Sequence, residues 1–329
     1  MCFGLWDIRN QTSFMKTTLR AFSALALGIS LVFYACKKEA DSSQTNNSDN
    51  TTEVKGHSDD QSRVSGDLDD VATDADAVLE GNVSFSGRYL NGANVMGDVC
   101  GATAAADTMG GTKTITLTYN GNNCQGTTYR TGTVLLSMPR DAKWKNAGVA
   151  ITVTLQNLKI KRLSDNKSVT INGTQIVTNV NGGLVRTLSG QQIVVHTTTS
   201  SNMSITFDDT TQRTWQVARK RTFTYNNGIV LTVTGIGTSG SLTNVAEWGT
   251  NRYGHAFTTS ITSPLIFRQD CSGRLTSGEI KHEGFATATA TFGLNAAGQA
   301  TTCPGTGNYY YRLSWTGPAG NSASVILPY

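Results

Sequence analysis

The sequence predicts an all-β protein of antiparallel strands, in a meander, sandwich or barrel-like arrangement, after a disordered tether. Three observations predict this class. Apolar side chains beyond residue 80 recur at every second position, as along Val149–Leu155, which is the period of a half-buried strand. Asn-Gly pairs separate these stretches, most clearly at Asn227-Gly228, and they tolerate the positive φ angles of a tight hairpin turn; Asn120-Gly121, Asn172-Gly173 and Asn181-Gly182 are further candidates. No segment of residues 81–329 has a convincing helical period, so strands must build the core.

A short apolar segment stands near the start of the chain. Lys16 and Arg20 form a positive region, and residues 21–35 are all apolar or small. A transmembrane helix needs roughly 20 apolar residues, so this segment is too short to span and is typical of a signal-peptide core. We therefore predict a signal peptide over residues 1–35, with the true start at Met15.

The segment ends on Phe33, Tyr34, Ala35 and Cys36, which resembles the lipobox of bacterial lipoproteins. The resemblance implies cleavage before Cys36 and a diacylglycerol on its thiol, so the protein would bind a membrane through this lipid anchor. Two or more acyl chains hold a protein on a bilayer where one does not. Tyr34 departs from the pattern, since a small residue is usual there, and an ordinary cleaved signal with a coincidental cysteine is the alternative. Lys37, rather than an aspartate, favours the outer membrane and leaves its periplasmic or surface face open.

The residues that follow predict no compact structure. From residue 40 to 80 Ser, Thr, Asn, Asp and Gln dominate, and eleven acids stand against Lys55 and Arg63. Such a segment cannot bury enough apolar surface to offset its conformational entropy, and charge of one sign extends a chain. We predict that residues 36–80 form a lipidated, disordered acidic linker that holds the body away from the membrane.

The body, residues 81–329, is predicted to be a single all-β domain, which is long enough for one sizeable core. Its apolar alternation slips at Gln156-Asn157 before resuming at Leu158, which indicates a β-bulge. The other predicted strands are Thr114–Tyr119, Val169–Val177, Ile193–His196, Thr214–Tyr225, Ile229–Val233, Ala256–Ile261 and Tyr309–Trp315.

The body is basic, with twenty Lys and Arg against ten Asp and Glu. Local clusters occur at Lys143 with Lys145, at residues 159–162 and at residues 219–221. A basic surface attracts polyanions such as lipid headgroups or acidic glycans, whereas thinly spread, solvated charge is the alternative. Nucleic acid is not predicted as a partner, because it is the least available polyanion for an exported protein.

Four cysteines remain in the body: Cys100, Cys124, Cys271 and Cys303. An even number in an exported chain suggests disulfides, and four cysteines allow three connectivities. We favour Cys100 with Cys124 and Cys271 with Cys303, because each pair is local and each second cysteine follows a similar strand and Gly/Asn turn. Zinc is the competing interpretation, but the short Cys-x-x-Cys spacing is missing. No metal or cofactor is predicted.

These strand, glycine and cysteine blocks lie near both ends of the body. Together with the strands between them, they resemble a group of uncharacterised β-rich Bacteroidetes lipoproteins. The resemblance spans nearly all of the body, through motifs of low specificity. It implies an architecture and an envelope location, and no catalytic residues come with it.

Aromatic side chains supply the candidate ligand-binding residues. Rings on one face of a sheet would make a platform for sugars or an apolar ligand, although aromatic residues more often pack in a core. The candidates for this platform are Trp215, Trp248, Tyr309, Tyr310 and Tyr311.

We expect a membrane-anchored envelope or cell-surface lipoprotein with a non-catalytic binding or structural domain, whose partner would be a glycan, a lipid or another protein. No catalytic motif is recognised. One alternative is a surface polysaccharide hydrolase, which needs two carboxylates roughly 5 to 10 Å apart; a second is a carrier of lipid or another apolar ligand. The carboxylates weighed for this hydrolysis are Asp208, Asp209, Glu247 and Asp270. The body has three histidines, His196, His255 and His282; His255 near Glu247, or His282 beside Glu283, could be a base with its orienting acid, and solvated strand residues are the favoured alternative for both.

Overall fold

The computed structural model describes residues 48–87, 99–271, 273–301, 303, 309–316, 320 and 322–328. The predicted signal peptide, the predicted lipidation site Cys36 and residues 37–47 lie outside these ranges. Two helices occur in the described part of the chain, α1 (Ser48–Gly81) and α2 (Val83–Ser86). The strands there are β1 (Ala102–Asp107), β2 (Thr112–Asn122), β3 (Thr128–Pro139), β4 (Val149–Arg162), β5 (Ser168–Asn179), β6 (Val194–Phe207), β7 (Gln212–Tyr225), β8 (Ile229–Gly235), β9 (Gly237–Ser239), β10 (Leu242–Thr250), β11 (Ala256–Arg268), β12 (Arg274–Glu283), β13 (Thr287–Leu294), β14 (Tyr310–Thr316) and β15 (Ser322–Pro328).

All fifteen strands belong to one antiparallel sheet, and most of them pair with their neighbours in the chain. Strands β8 and β10 share one position in the order, because β8 pairs with one half of β7 and β11 while β10 pairs with the other half. The prediction of an all-β antiparallel fold is therefore confirmed. Of the three predicted arrangements, the structure has a meander that curls into a barrel-like shape.

The predicted bulge and the hairpin predicted at Asn227-Gly228 are both present, whereas the turns predicted at Asn120-Gly121 and Asn172-Gly173 are wrong, because these pairs lie inside β2 and β5. The pairing of β4 with β5 shifts between Leu155 and Leu158, where Asn157 has a φ of 49°. Gly132 of β3 lies opposite, and a Cβ there would collide with the carbonyl oxygen of Asn157, so glycine lets the bulge sit against its neighbour. At the end of β7 the chain reverses through residues 226–228, with positive φ at Asn227 and at the glycine after it.

The prediction of a disordered linker is wrong for residues 48–80. They form α1, a helix of 34 residues, and residues 40–47 lie outside the described part. Apolar side chains at Val64, Leu68, Val71 and Ala75 recur three and four residues apart, and each is at most 6 % exposed. This spacing places them on one face of a helix, and that face packs against the sheet.

Helix α1 lies on the concave side of the curled sheet. Its side chains bond or stack with residues of β2, β3, β4, β7, β10, β11 and β12. Such contacts with strands from most of the meander mean that the sheet wraps around the helix. The predicted domain boundary after residue 80 thus falls at the end of a helix that belongs to the folded core.

Two clusters of buried apolar residues lie on the inner face of the sheet. The larger one joins α1 to β2–β7, and Trp144 and Trp215 are its largest members. The smaller one lies among β7, β8 and β10–β14 and includes Phe223, Phe267 and Tyr311. Among the described residues, neither helix has the length and apolarity needed to cross a membrane.

Because the strands are antiparallel, the loops fall at two rims. The N-rim consists of the loops 163–167, 208–211 and 251–255, beside the N-terminal half of α1. The C-rim consists of the loops 140–148 and 180–193, beside the C-terminal end of α1. The two rims therefore mark opposite ends of the barrel.

Candidate functional site

Acidic side chains of α1 meet arginines of the sheet and of the N-rim loop 251–255. Asp60 pairs with Arg252, with 2.5 Å between Oδ1 and Nη2, and Asp74 pairs with Arg130, with 2.8 Å between Oδ2 and Nη1. The acidic segment and the basic body, which carry opposite charges in the sequence, thus neutralise each other in the fold. The further pairs of this interface are Asp59 with Arg162, Asp69 with Arg219 and Asp69 with Arg221.

Burial at this interface perturbs the carboxyl groups of α1. Loss of solvent raises the pKa of Asp67 to about 7, although Arg63 opposes the shift. It raises the pKa of Asp74 to about 6 against the effect of Arg130, and burial with nearby Glu80 raises that of Asp76 to about 7. These three carboxyls take up protons near neutral pH in the folded protein.

Two histidines pack together where α1 passes the N-rim. The ring centroid of His57 lies 4.6 Å from that of His282 and 4.8 Å from that of Phe257. The guanidinium group of Arg213 lies over the Phe257 ring, with its Cζ 4.7 Å from the ring centroid. Burial, followed by the charges of His282 and Arg213, lowers the pKa of His57 to about 2, so the histidine is neutral when it is packed here.

A narrow cavity separates α1 from β4–β7. Its volume is about 30 Å³, and Val71, Ala75, Val153 and Trp215 line it together with polar residues. An enclosed benzene occupies a cavity of roughly 150 Å³. The space between helix and sheet therefore suits water-sized groups rather than an acyl chain.

The four carboxylates proposed for hydrolysis lie in three separate places. Glu247 is buried inside and pairs with Arg219, while Asp270 lies in the loop after β11 and pairs with Arg268. Asp208 and Asp209 lie together on the N-rim. Hydrogen bonds from Ser168 and Thr211 lower the pKa of Asp208 and Asp209, respectively, and the bond from Arg268 lowers that of Asp270. A general acid needs the opposite shift.

The histidines of the body pack against other side chains. His255 stacks on Phe285, with 5.3 Å between centroids, while Glu247 pairs with Arg219. His282 shares a hydrogen bond with the Thr259 hydroxyl through Nδ1, and its neighbour Glu283 pairs with Lys281. His196 is buried between Trp144 and Phe223.

The prediction of a single aromatic platform is wrong. Trp215, Tyr309 and Tyr311 are each 2 % exposed, so their rings cannot offer a face to a ligand from solvent. Trp215 belongs to the larger core and Tyr311 to the smaller one, while Trp248 and Tyr310 are half-buried. Core packing, which is the commoner role of buried rings, explains these residues.

Both predicted cysteine pairs lie at disulfide distance. The Cα atoms of Cys100 and Cys124 are 5.1 Å apart, and those of Cys271 and Cys303 are 5.9 Å apart. Asp270 lies close to the second pair. The predicted disulfide would use both thiols, whereas a metal beside this carboxylate would need them as thiolates.

The basic clusters have different partners. Arg162 and Arg219 pair with acids of α1, whereas Lys143 on the C-rim donates from Nζ to the backbone oxygen of Ser84. Sequence reasoning missed Lys113, which bonds to the same oxygen. The sequence does carry a signal for this residue. Lys113 lies two positions before Ile115, on the inward-facing side of β2, where a lysine interrupts the alternation of apolar residues.

Cys36 lies outside the described residues, so its modification stays a prediction. Comparison with protein-family models, curated proteins and solved structures finds no match to this chain. The arrangement of side chains described above is therefore the basis for assigning a function.

Proposed function

We propose that this protein is a lipid-anchored outer-membrane lipoprotein whose β domain is a non-catalytic binding or structural module. The observation that carries the proposal is the packing of α1 inside the sheet. The predicted anchor at Cys36 stands twelve residues before α1 begins. A chain of this length spans at most about 40 Å, so the domain stays close to the bilayer.

The contacts along α1 support a defined orientation. Asp60 holds its N-terminal half at the N-rim through Arg252. At the other end, the Glu80 carboxylate accepts hydrogen bonds from the backbone N–H groups of Val185 and Arg186, at 2.8 and 2.9 Å. A lipid anchor upstream of α1 would therefore place the N-rim toward the membrane and the C-rim away from it.

The environment of the acids supports a non-catalytic role over the hydrolase alternative. Asp208 and Asp270 lie on separate loops, and each carboxylate is held in its charged form by a donor. The small interior cavity gives no support to the carrier alternative. A binding module would instead use its outer surface, and the C-rim is the end that faces a partner approaching from outside the membrane.

Mass spectrometry of the mature protein tests the anchor. We expect an N-terminal peptide that begins at Cys36 and carries a diacylglycerol and an acyl chain, and we expect the protein in the outer-membrane fraction. Cys36→Ser should remain unprocessed or lose its lipid, while Cys2→Ser should change nothing. An unmodified Cys36 in a mature chain, or wild-type protein that fractionates as soluble, would contradict the proposal.

A further inference from the structure

Two lysine ammonium groups converge on one backbone oxygen at the C-rim. Lys113 Nζ lies 2.7 Å from the Ser84 carbonyl oxygen, and Lys143 Nζ lies 3.0 Å from the same atom. The distance between the two nitrogens therefore cannot exceed the sum of these two distances. Like charges at this separation repel each other, and the repulsion is stronger in a poorly solvated place.

The inner ammonium is buried. Lys113 is 1 % exposed, it also donates to the Ala142 carbonyl oxygen at 2.5 Å, and its Nζ lies 5.1 Å from the Phe85 ring centroid. Lys143 is half-buried at the edge of the cluster. A ligand that approaches from solvent would meet Lys143 first, with Lys113 behind it.

In the part of the chain that the structure describes, neither ammonium has an acid as a direct partner. Among the described residues, no carboxylate oxygen lies within 4.0 Å of Lys113 or Lys143 Nζ. Burial and the charge of Lys143 lower the pKa of Lys113 to about 8, and Asp141 only partly opposes this. Several arginines inside the sheet, such as Arg130 and Arg219, pair directly with carboxylates, and this lysine pair differs from them.

Capping of a helix end accounts for one lysine and not for two. Carbonyl groups at a helix C-terminus commonly accept a hydrogen bond from a nearby lysine. An ammonium has three N–H donors; Lys113 uses two on carbonyl oxygens and Lys143 uses one. Three donors from two adjacent cations are left to point at a further acceptor.

A third lysine stands next to the pair because Gly87 has no side chain. A Cβ on Gly87 would lie 2.9 Å from Lys143 Cβ and 3.2 Å from Lys145 Cε, and its φ of 77° also favours glycine. The turn after α2 thus brings the stems of both lysines against the backbone. Lys113, Lys143 and Lys145 form what we call the lysine cluster.

We propose that the lysine cluster binds an oxyanion, namely a phosphate, sulfate or carboxylate group. Such a group would accept the remaining N–H donors and neutralise two repelling charges, and charge-assisted bonds of this kind are strong ones. Its position on the C-rim suits a ligand group carried by a soluble molecule or an acidic glycan. This inference does not require the lipid anchor.

Titration of the full chain with inorganic phosphate and with sulfate, at constant ionic strength set by chloride, tests the proposal. We expect saturable binding and a rise in Tm with either anion. Lys143→Met keeps the apolar stem and should weaken binding about tenfold or more, while Lys143→Arg should restore part of it. Lys220→Met, at an exposed position on β7, is the matched control and should bind like the wild type.

A second readout concerns Lys113 directly. A bound anion favours the charged ammonium, so phosphate should slow reductive methylation of Lys113 and leave the methylation of Lys220 unchanged. Binding of a sulfated or phosphorylated oligosaccharide would identify a glycan as the carrier, and binding only to vesicles of anionic lipid would identify a headgroup. An identical response of Lys143→Met and wild type, or a response to ionic strength alone, would overturn the proposal.

Discussion

Asp74 of α1 and Arg130 of β3 form a buried ion pair, with 2.8 Å between Oδ2 and Nη1, across 56 residues of sequence. The Tyr119 hydroxyl donates to the same carboxylate oxygen at 3.0 Å, and Arg130 also donates from Nη2 to the Cys100 carbonyl oxygen at 2.9 Å. One contact thus joins the helix, two strands and the first disulfide.

Removal of this carboxylate should destabilise the protein strongly. Asp74→Ala leaves the Arg130 guanidinium buried without its counter-ion, which typically costs about 3 to 5 kcal/mol. Asp165→Ala, at the more exposed pair with Arg162, is the matched control and should cost less than about 1 kcal/mol. Urea unfolding at pH 7 measures both. Equal effects of the two substitutions would show that α1 is not held by this pair.

The N-terminal half of α1 should loosen in acid. His57 has a pKa of about 2 and His282 of about 4 in the fold, against about 6.5 when unfolded. Both histidines have a lower pKa in the fold than in the unfolded chain. The stability that their neutral forms contribute is therefore fully present above pH 6.5 and is lost as the pH falls below it. Protonation would place new charges beside Arg213, with Glu283 as the nearby acid.

Hydrogen exchange at pH 7 and pH 4.5, corrected for intrinsic rates, tests this expectation. Amides of residues 56–66 should lose protection at pH 4.5. His57→Phe keeps a ring against Phe257 and removes the titration, so it should retain more protection in acid. Equal acid sensitivity of the variant and the wild type would argue against the histidine pair as the cause.

The middle of α1 should respond to pH in the opposite direction. Burial raises the pKa of Asp67 to about 7, against about 3.9 when unfolded. The stability contributed by its protonated form is therefore complete below pH 4 and is lost as the pH rises to about 7.

Asp67→Asn removes this titration and leaves Arg63 bonded to the carbonyl oxygens of Ile160 and Lys167. Relative to wild type, the variant should gain stability by a few kcal/mol between pH 5 and pH 8, as measured by urea unfolding across that range. Asp165→Asn, at a carboxyl with a lowered pKa, is the control and should show no such gain. If the free energies of unfolding of Asp67→Asn and wild type differed by the same amount at every pH, the expected proton uptake by Asp67 would be contradicted.

The disulfides should stabilise the two ends of the sheet independently. Cys100 and Cys124 are separated by 24 residues, and a loop of this size corresponds to about 3 kcal/mol in the chain-entropy model. Cys100→Ala with Cys124→Ala should lower the free energy of unfolding by that order. Peptide mapping without reduction should recover Cys271 joined to Cys303, and any other connectivity would refute the pairing.

The strands that were predicted were predictable because their signals are local, whereas β1, β3, β10, β12 and β15 were not among the predicted strands. Alternation from Val149 to Leu155, the slip at Gln156 and the turn at Asn227 depend on neighbouring residues only, and each is found where it was predicted. The order of the strands follows the chain, yet the curl of the sheet depends on what its concave side encloses, which the strand pattern does not encode.

Helix α1 was missed for a physical reason. Composition indicated disorder, although the spacing of Val64, Leu68 and Val71 was a readable helical signal. The negative charge of α1 is neutralised by arginines that lie far away in the sequence, such as Arg130 and Arg252. No local sequence pattern reveals such pairs. The aromatic platform failed similarly, because alternation does not show that both faces of a strand are covered.

The arrangement of α1 also sets an order for assembly. The helix leaves the ribosome before any strand, but its partners come late, since Ser65 bonds to Glu247 across 182 residues and Asp60 to Arg252 across 192. Hairpins of neighbouring strands can pair as they are synthesised, because their contacts close only short loops. The helix completes these contacts only after β12 has been made, because His57 also packs against His282. Until then, the acidic helix and the arginines of the sheet remain incompletely paired.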